Sequence, residues 1–187
     1  PINEVPLKGK HNIYNVMCAI CFGLAYKIKP NKIKQAIKDF KVDKYRIENI
    51  AQINGVNFVN DSKSTNIAST LASVETIKGS IILLLGGSNK QLNYSTLFSN
   101  LSKRVKQVIA YGEIANDLLL ANNSKFKIQH CINLSEAFDF ATSVAVKNDT
   151  VLLSPASSSY DQFKNYIERG EAFNLKVKEY EKICKQK

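Results

Sequence analysis

The sequence contains no apolar run of the roughly 20 residues that a membrane-spanning helix requires. Its first residues also lack the basic, apolar and small residues that, in that order, mark a signal peptide. We therefore expect a cytoplasmic protein that is not inserted in a membrane. Met17 is the sole methionine and the chain begins at Pro1, which suggests processing or a piece cut from a longer protein.

Arginine is scarce, although the formal net charge is +10. Only Arg46, Arg104 and Arg169 are present, and the excess of positive charge comes from lysines scattered along the chain. Proteins that read DNA sequence use bidentate arginine contacts to the bases, so this composition does not favour a nucleic-acid partner. The net charge favours the attraction of anionic substrates instead.

Cysteine pairs at metal-binding spacing are also missing. Cys18 and Cys21 form one C-x-x-C, but no second pair accompanies it, and it lies in an apolar run typical of a helix. We expect all four cysteines, these two together with Cys131 and Cys184, to be free thiols that pack as small apolar residues in a reducing compartment. We therefore expect neither a metal site nor a redox site.

Two further absences limit the chemistry. The only histidines are His11 and His130, and neither lies at the strand ends that carry the polar clusters, so nucleophilic hydrolysis is not expected. The sequence has no G-x-x-x-x-G-K-[ST] motif, since Gly9-Lys10-His11 lacks both the first glycine and the hydroxyl of that motif. These residues alone therefore have no P-loop to hold the phosphates of ATP.

The first 43 residues predict helices without strands. Apolar residues recur at helical spacing from about residue 9 to 26 and again from 31 to 40. Since these helices have no sheet of their own to cover, we interpret 1–43 as the helical end of an upstream domain together with a linker. Residues 44–187 then form a second domain.

That second domain alternates strands with helices. Asn54-Gly55 is a turn dipeptide between two apolar runs, which predicts a hairpin. The predicted strands are 47–53, 56–59, 80–85, 105–111, 127–131 and 150–154, and the predicted helices are 68–77, 94–101, 114–121, 134–146 and about 160–184. Continuous apolar runs that alternate with amphipathic helices predict an α/β, Rossmann-like fold, whose mostly parallel sheet carries helices on both faces.

Polar clusters follow three of these strands. The clusters are Asn60-Asp61-Ser62-Lys63-Ser64-Thr65-Asn66, Gly86-Gly87-Ser88-Asn89-Lys90 and Ser154-Pro155-Ala156-Ser157-Ser158-Ser159-Tyr160-Asp161. In a parallel sheet ligands bind beyond the carboxyl ends of the strands, so lysines and hydroxyls from all three predict one site for a carboxylate or a phosphate. The alternative is that Asp61 and Thr65 only cap a helix and that Lys63 is solvated.

Five stretches closely resemble, in order and spacing, the motifs of the Mur ligases of peptidoglycan synthesis. They are Gly9-Lys10-His11-Asn12-Ile13-Tyr14-Asn15, Tyr45-Arg46-Ile47-Glu48, Asn60-Asp61-Ser62-Lys63-Ser64-Thr65-Asn66, Gly86-Gly87-Ser88-Asn89-Lys90 and Leu152-Leu153-Ser154-Pro155-Ala156-Ser157-Ser158-Ser159-Tyr160-Asp161-Gln162-Phe163. The resemblance is nearest to the branch that adds D-glutamate to UDP-N-acetylmuramoyl-L-alanine, and it covers nearly the whole chain.

The resemblance implies an ATP-dependent ligase of cell-wall biogenesis, hence of cell shape, cell division and the cell cycle. ATP would phosphorylate the muramoyl-alanine carboxylate, and the amine of D-glutamate would attack the acyl phosphate to form an amide. The chain would hold the end of the central ATP-binding domain and the whole C-terminal domain. The P-loop, the Mg²⁺ ligands and a carbamylated lysine would lie upstream, so this fragment alone would hold neither ATP nor Mg²⁺ and would be inactive. We expect a monomer.

The resemblance also assigns roles to residues. Lys63, Thr65, Lys90 and Ser159, with the backbone near Tyr160 and the ring of Tyr166, would hold D-glutamate, and Lys63 and Lys90 would be the catalytic cations. ATP would be contacted by Asn15 at the base and Arg46 at the phosphates, with Asp61 helping to place the nucleotide.

Several positions depart from the usual family pattern. They are Tyr45 in place of His, Asn89 in place of a frequent Asp, Ser157 in place of Cys, Tyr160 in place of Phe or Leu, and Tyr166 in place of Phe. None removes a proposed charge, but they leave open which amino acid is added. The alternatives are another Mur or a folylpolyglutamate-type ligase domain, or a binding module for nucleotide or nucleic acid without catalysis.

Overall fold

A computed structural model describes residues 4–6, 10–41 and 43–186, with the side chains of Lys10 and His11 excepted. The chain divides into two compact units, 1–44 and 45–187. Gly9, the first residue of the predicted nucleotide motif, lies outside the described residues. The assignment of 1–43 and 44–187 to two Mur ligase domains stays a prediction.

The first unit contains two helices, α1 (Lys10–Ala25) and α2 (Pro30–Lys38). Pro30 opens α2, where its fixed φ suits the first turn and its missing N–H leaves no helical bond unmade. Gly23 lets the helices approach closely, because a Cβ at this position would lie 2.8 Å from Cδ1 of Ile33. The expectation that the α1 cysteines are packed is wrong, since Cys18 and Cys21 are both exposed.

The second unit contains six strands and five helices among its described residues. The strands are β1 (Glu48–Ile53), β2 (Val56–Asn60), β3 (Ser80–Gly86), β4 (Val105–Tyr111), β5 (Ile128–Cys131) and β6 (Asp149–Ala156). The helices are α3 (Ile67–Thr76), α4 (Tyr94–Asn100), α5 (Ala115–Asn122), α6 (Leu134–Val144) and α7 (Tyr166–Lys185). In the part of the chain that the structure describes, no helix is both long and apolar enough to cross a bilayer.

The strands form one sheet in the order β1-β2-β6-β3-β4-β5. Only β1 is antiparallel, because it is joined to β2 by the Asn54-Gly55 turn, in which both residues have positive φ, as a tight hairpin turn requires. The pairs β2–β6, β6–β3, β3–β4 and β4–β5 are parallel. The predicted α/β fold with a mostly parallel sheet is confirmed.

Helices cover both faces of this sheet. On one face α3, α4 and α5 pack around Val74, Leu97 and Leu118, and on the other α6 and α7 pack around Phe138 and Phe173. The central strand β3 is completely buried from Ile81 on, which explains its unbroken apolar sequence.

The last helix differs from its prediction, because α7 begins at Tyr166 and not near residue 160. Residues 157–165 form turns and bends in which the carbonyl of Ser159 accepts from the amides of Gln162 and Phe163. The polar cluster after β6 is therefore a longer loop than the sequence predicted.

Candidate functional site

The three polar clusters follow three neighbouring strands. In the sheet β6 lies between β2 and β3, and all three run in the same direction, so their carboxyl ends share one edge. The loops that leave this edge are 61–66, 87–93 and 157–165. The helices that follow β2 and β6 pack on opposite faces of the sheet, α3 on one and α7 on the other. In open α/β sheets, ligand crevices form at such an edge.

Hydrogen bonds join these loops to one another. The amide of Ser88 donates to the carbonyl of Ser158 at 2.9 Å, and the amide of Ala156 donates to the carbonyl of Ser64 at 3.1 Å. The Ser157 hydroxyl also donates to the carbonyl of Ser88. Gly87 has a φ of +130°, and a Cβ there would lie 1.9 Å from the Ser158 carbonyl oxygen, so this approach depends on glycine.

Lys63 and Tyr166 lie together at this edge. The ammonium of Lys63 is 5.9 Å from the centroid of the Tyr166 ring, within the range of a cation–π interaction. The amide of Lys63 donates to the carbonyl of Tyr45, and the Tyr45 and Tyr166 rings meet edge to face at 6.5 Å. Lys63 and Tyr166, which both have a predicted role in D-glutamate binding, are therefore supported by Tyr45 in the segment before β1.

Lys90 and Thr65 also meet. Lys90 is exposed, and its ammonium donates to the carbonyl of Thr65 at 3.2 Å, which joins the loop after β3 to the loop after β2. Asn89 joins the same loop to the residues that follow β4. Its backbone amide donates to Glu113 at 3.0 Å, and its side-chain amide donates to Asp117 at 3.1 Å. The contact with Asp117 needs the side-chain N–H of an asparagine as its donor.

Ser159 and Tyr160 lie on the third loop. Ser159 is nearly completely buried, whereas the Tyr160 side chain is 73% exposed. Of the predicted D-glutamate residues, the contacts directly join Lys63 with Tyr166 and Lys90 with Thr65. Ser159 and Tyr160 share the edge, and the roles of all six residues stay predictions.

Asp61 is completely buried at the start of its loop. Its carboxylate accepts from the Ile47 amide at 3.2 Å and from the Ser154 hydroxyl at 2.7 Å. Burial raises the pKa of Asp61, and the hydrogen bonds from Ser64, Ser73, Ser154 and Ile47 oppose that shift. These contacts support the backbone next to Arg46; a part in placing the nucleotide stays a prediction.

The capping interpretation of this loop is wrong for both Asp61 and Thr65. The cap of α3 is Asn66, whose side-chain oxygen accepts from the amide of Ser69 at 2.9 Å. Asp61 and Thr65 are thus left with the tertiary contacts described above.

Two of the predicted ATP residues, Asn15 and Arg46, belong to different units. Asn15 is an exposed residue of α1, and its side-chain amide donates to Asn12 at 3.2 Å. Arg46 is half-buried and precedes β1 by two residues. Their contacts with ATP stay predictions.

Arg169 is the site residue that the sequence reasoning missed. It is completely buried on α7, and its guanidinium donates to the Ser62 hydroxyl at 3.0 Å, to the Ser62 carbonyl at 2.9 Å and to the Ser157 carbonyl at 3.0 Å. A signal was present, because Arg169, Phe173 and Val177 follow one another at a spacing of four and are all buried. The arginine therefore continues the apolar stripe of the helix.

Buried polar atoms without a partner also lie on the residues of this edge. In the described part of the structure, Oγ of Ser88, the hydroxyl of Tyr111 and Oδ1 of Asp161 are buried without a hydrogen-bond partner. Burial raises the pKa of Tyr111 to about 12, against the attraction of Arg169. Burial also raises the pKa of Asp161, so this edge combines a buried cation with two acidic groups whose charged forms are disfavoured by burial.

Comparison with known proteins places these features in a family. A family model described as the glutamate ligase domain of Mur ligases matches residues 45–157. UDP-N-acetylmuramoylalanine–D-glutamate ligases of Acidobacterium capsulatum and Koribacter versatilis are 38% and 37% identical over 92% and 95% of the chain. The matches cover 38% and 39% of those proteins, so the chain spans about two-fifths of their length.

Solved structures share the fold. MurF from Acinetobacter baumannii has a TM-score of 0.69 at 16% identity, with 94% of this chain and 39% of that chain covered. A folylpolyglutamate synthase from Mycobacterium tuberculosis has a TM-score of 0.67 at 17% identity, with coverage of 92% and 41%. These identities are too low to show more than the fold. The family model and the curated relatives do show more, and the chain belongs to the Mur ligase family.

Proposed function

We propose that these residues are the D-glutamate-binding part of a UDP-N-acetylmuramoylalanine–D-glutamate ligase (MurD). In this reaction ATP phosphorylates the carboxylate of UDP-N-acetylmuramoyl-L-alanine. The amine of D-glutamate attacks the acyl phosphate, and the tetrahedral intermediate collapses to the amide with loss of phosphate. The part of this chain is to bind the amino acid and to aim its amine.

The observation that carries the proposal is the convergence of the loops after β2 and β3. Lys90 reaches the carbonyl of Thr65, two residues from Lys63, so two ammonium groups belong to one edge of the sheet. A dicarboxylate loses hydration when it binds, and charge-assisted hydrogen bonds replace that hydration. Two cations with neighbouring hydroxyls suit an acidic amino acid better than a neutral one.

The proposed roles follow from position. Lys63, Thr65 and Lys90 bind carboxylates of D-glutamate, and the Tyr166 ring lies against the ammonium of Lys63 and helps to position it. Ser159 and the backbone at Tyr160 complete the site from the loop after β6. With both carboxylates fixed, the amine has few orientations left, which lowers the entropic part of the barrier to attack.

The nucleotide contacts are a separate part of the proposal. Asn15 contacts the base, Arg46 contacts the phosphates, and Asp61 supports Arg46 through the backbone of Ile47. The P-loop, the Mg²⁺ ligands and the carbamylated lysine belong to residues other than the 187 printed here. These residues alone therefore do not turn over ATP.

The test is Lys90→Ala in the complete ligase. Loss of one charge-assisted contact to a carboxylate should raise the apparent KM for D-glutamate by about 10- to 100-fold, with the KM for ATP within about twofold. Lys78→Ala is the matched control, because Lys78 is also exposed but precedes β3 at the opposite edge of the sheet. Steady-state kinetics with each substrate varied in turn measures both constants.

Equal rises in both KM values, or none for Lys90→Ala, would contradict the proposal. A binding module for nucleic acid without catalysis predicts a different result for the isolated chain. Its affinity for any polynucleotide would fall steeply with salt, because counterion release dominates such binding. Weak binding of D-glutamate that L-glutamate cannot displace supports the ligase instead.

A further inference from the structure

The guanidinium of Arg169 contacts the residues that follow three neighbouring strands. It donates twice to Ser62 after β2, once to the Ser157 carbonyl after β6, and lies 3.5 Å from the carbonyl oxygen of Gly86 at the end of β3. One side chain on the last helix thus joins the carboxyl ends of all three strands, from which the three loops leave. Since it has no exposed surface, it cannot touch a substrate directly.

Because Arg169 is charged and buried, the fold needs these hydrogen bonds to stay stable. All of its hydrogen bonds go to neutral oxygens, and no carboxylate forms an ion pair with it in the described structure. Burial lowers the pKa of the guanidinium, and nearby Tyr111 and Asp161 oppose that shift, but an arginine stays protonated in proteins. A buried cation that lost its acceptors would be strongly destabilising, so the loops and the arginine hold each other in one arrangement.

The loop residues that Arg169 holds are close in sequence to the proposed D-glutamate residues. Ser62 precedes Lys63 directly, and Ser157 is two residues before Ser159. The Ser62 hydroxyl, besides accepting from Arg169, donates to the carbonyl of Tyr166 at 2.8 Å. A change at the guanidinium is therefore passed to the backbone that carries Lys63, Ser159 and Tyr166.

We propose that Arg169 is a positioning residue that sets the spacing of the loops after β2, β3 and β6 and thereby the affinity for the acidic amino acid. This inference rests on the function proposed above. It predicts that a change at Arg169 weakens the binding of D-glutamate although the residue does not contact it.

The experiment compares Arg169→Lys with Arg104→Lys in the complete ligase. Lysine keeps the charge but loses the planar fork, so it cannot hold three loops at once. Arg104 is the matched control, since its guanidinium also donates to backbone carbonyls, those of Val74 and Ile77, but just before β4 at the other edge of the sheet. Both variants are characterised by thermal unfolding and by KM for D-glutamate and for ATP.

We expect Arg169→Lys to raise the KM for D-glutamate by about 10- to 100-fold, because displaced loops weaken the charge-assisted contacts to its carboxylates. The KM for ATP should change by less than about threefold, and Arg104→Lys should leave both constants within about twofold while lowering the unfolding temperature. Equal effects of the two variants on KM, or a loss of stability alone in Arg169→Lys, would overturn the inference.

Two further variants separate the possible failures. If Arg169→Lys does not fold, Ser62→Ala tests the positioning role instead. This variant removes the hydroxyl that accepts from the guanidinium and leaves the charge of Arg169 in place. A rise confined to the KM for D-glutamate supports the inference, and no rise overturns it. If Lys90→Ala has no effect on that KM, the proposed function fails; if it has the expected effect and neither Arg169→Lys nor Ser62→Ala does, only the positioning role fails.

Discussion

Burial and charge oppose each other at Asp61. Its side chain has no exposed surface, and its pKa is raised from the ordinary value of 3.8 because burial disfavours the carboxylate. The folded protein therefore binds this proton more tightly than the unfolded chain does. Between pH 3.8 and the pKa of the folded state, this group makes the free energy of unfolding fall as the pH rises.

Asp61→Asn should remove that dependence. We expect the stability of the variant, relative to the parent chain, to increase as the pH rises through this window, because the asparagine has no proton to lose. Urea denaturation of both chains at several pH values between about 4 and 7 measures the difference, with other titrating groups common to the two. A difference that is constant with pH would mean that the four hydrogen bonds hold the pKa of Asp61 at its ordinary value.

The sequence predicted the location of the polar loop residues better than it predicted the contacts that support those loops. Lys63, Thr65 and Lys90 could be located because polar residues directly after apolar strands must lie at the carboxyl edge of a parallel sheet. Arg169 could not be found in that way, because its role depends on the rotation of a helix relative to loops more than 80 residues away in sequence, as its Gly86 contact shows.

At the level of whole elements, the strands were predicted closely and the last helix was not. Buried parallel strands are continuous apolar runs, so β3 is evident from its sequence alone, and β4 is apolar from Val108 on. The start of α7 was missed because it is marked by polar capping residues and not by apolar periodicity. The Asn165 side chain accepts from the amide of Glu168, and the Glu168 side chain accepts from the amide of Lys164. The same N-x-x-E pattern begins α6 at Asn133.

Asn165→Ala should test whether this cap fixes the start of α7. Loss of the side-chain acceptor should lower the free energy of unfolding by about 1 kcal/mol, since the amide of Glu168 loses its partner. Asn165→Asp is the control, because a carboxylate accepts the same hydrogen bond and also favours the positive end of the helix. The prediction fails if the aspartate variant is as unstable as the alanine variant in urea denaturation.

The whole molecule is dominated by residues 45–187. Both apolar clusters of the described structure draw their members from residue 47 onward, whereas α2 of the first unit has no buried residue. Since apolar burial is the main favourable term in folding, the α/β unit contains what it needs to fold by itself. The N-terminal boundary of that unit should then depend on the few contacts that the residues just before β1 make.

Those contacts concern Tyr45 and Ile47. The Tyr45 ring packs so closely on Gly170 that a Cβ there would lie 2.4 Å from Cδ1 of the ring, and the Tyr45 carbonyl accepts from the amide of Lys63. The amide of Ile47 donates to buried Asp61. A chain of residues 45–187 keeps all three contacts, and a chain of residues 48–187 loses them.

We therefore expect residues 45–187 to unfold in one cooperative transition, and residues 48–187 to be less stable by about 2–4 kcal/mol, because a buried carboxylate loses a donor and a packed ring is removed. Urea denaturation followed by circular dichroism measures both values. Tyr45→Ala in the longer chain separates the ring from the backbone contacts and should account for part of the loss. Equal stability of the two chains would show that the segment before β1 contributes nothing to the fold, and the support that it gives to Lys63 and Asp61 would then have to come from the loops themselves.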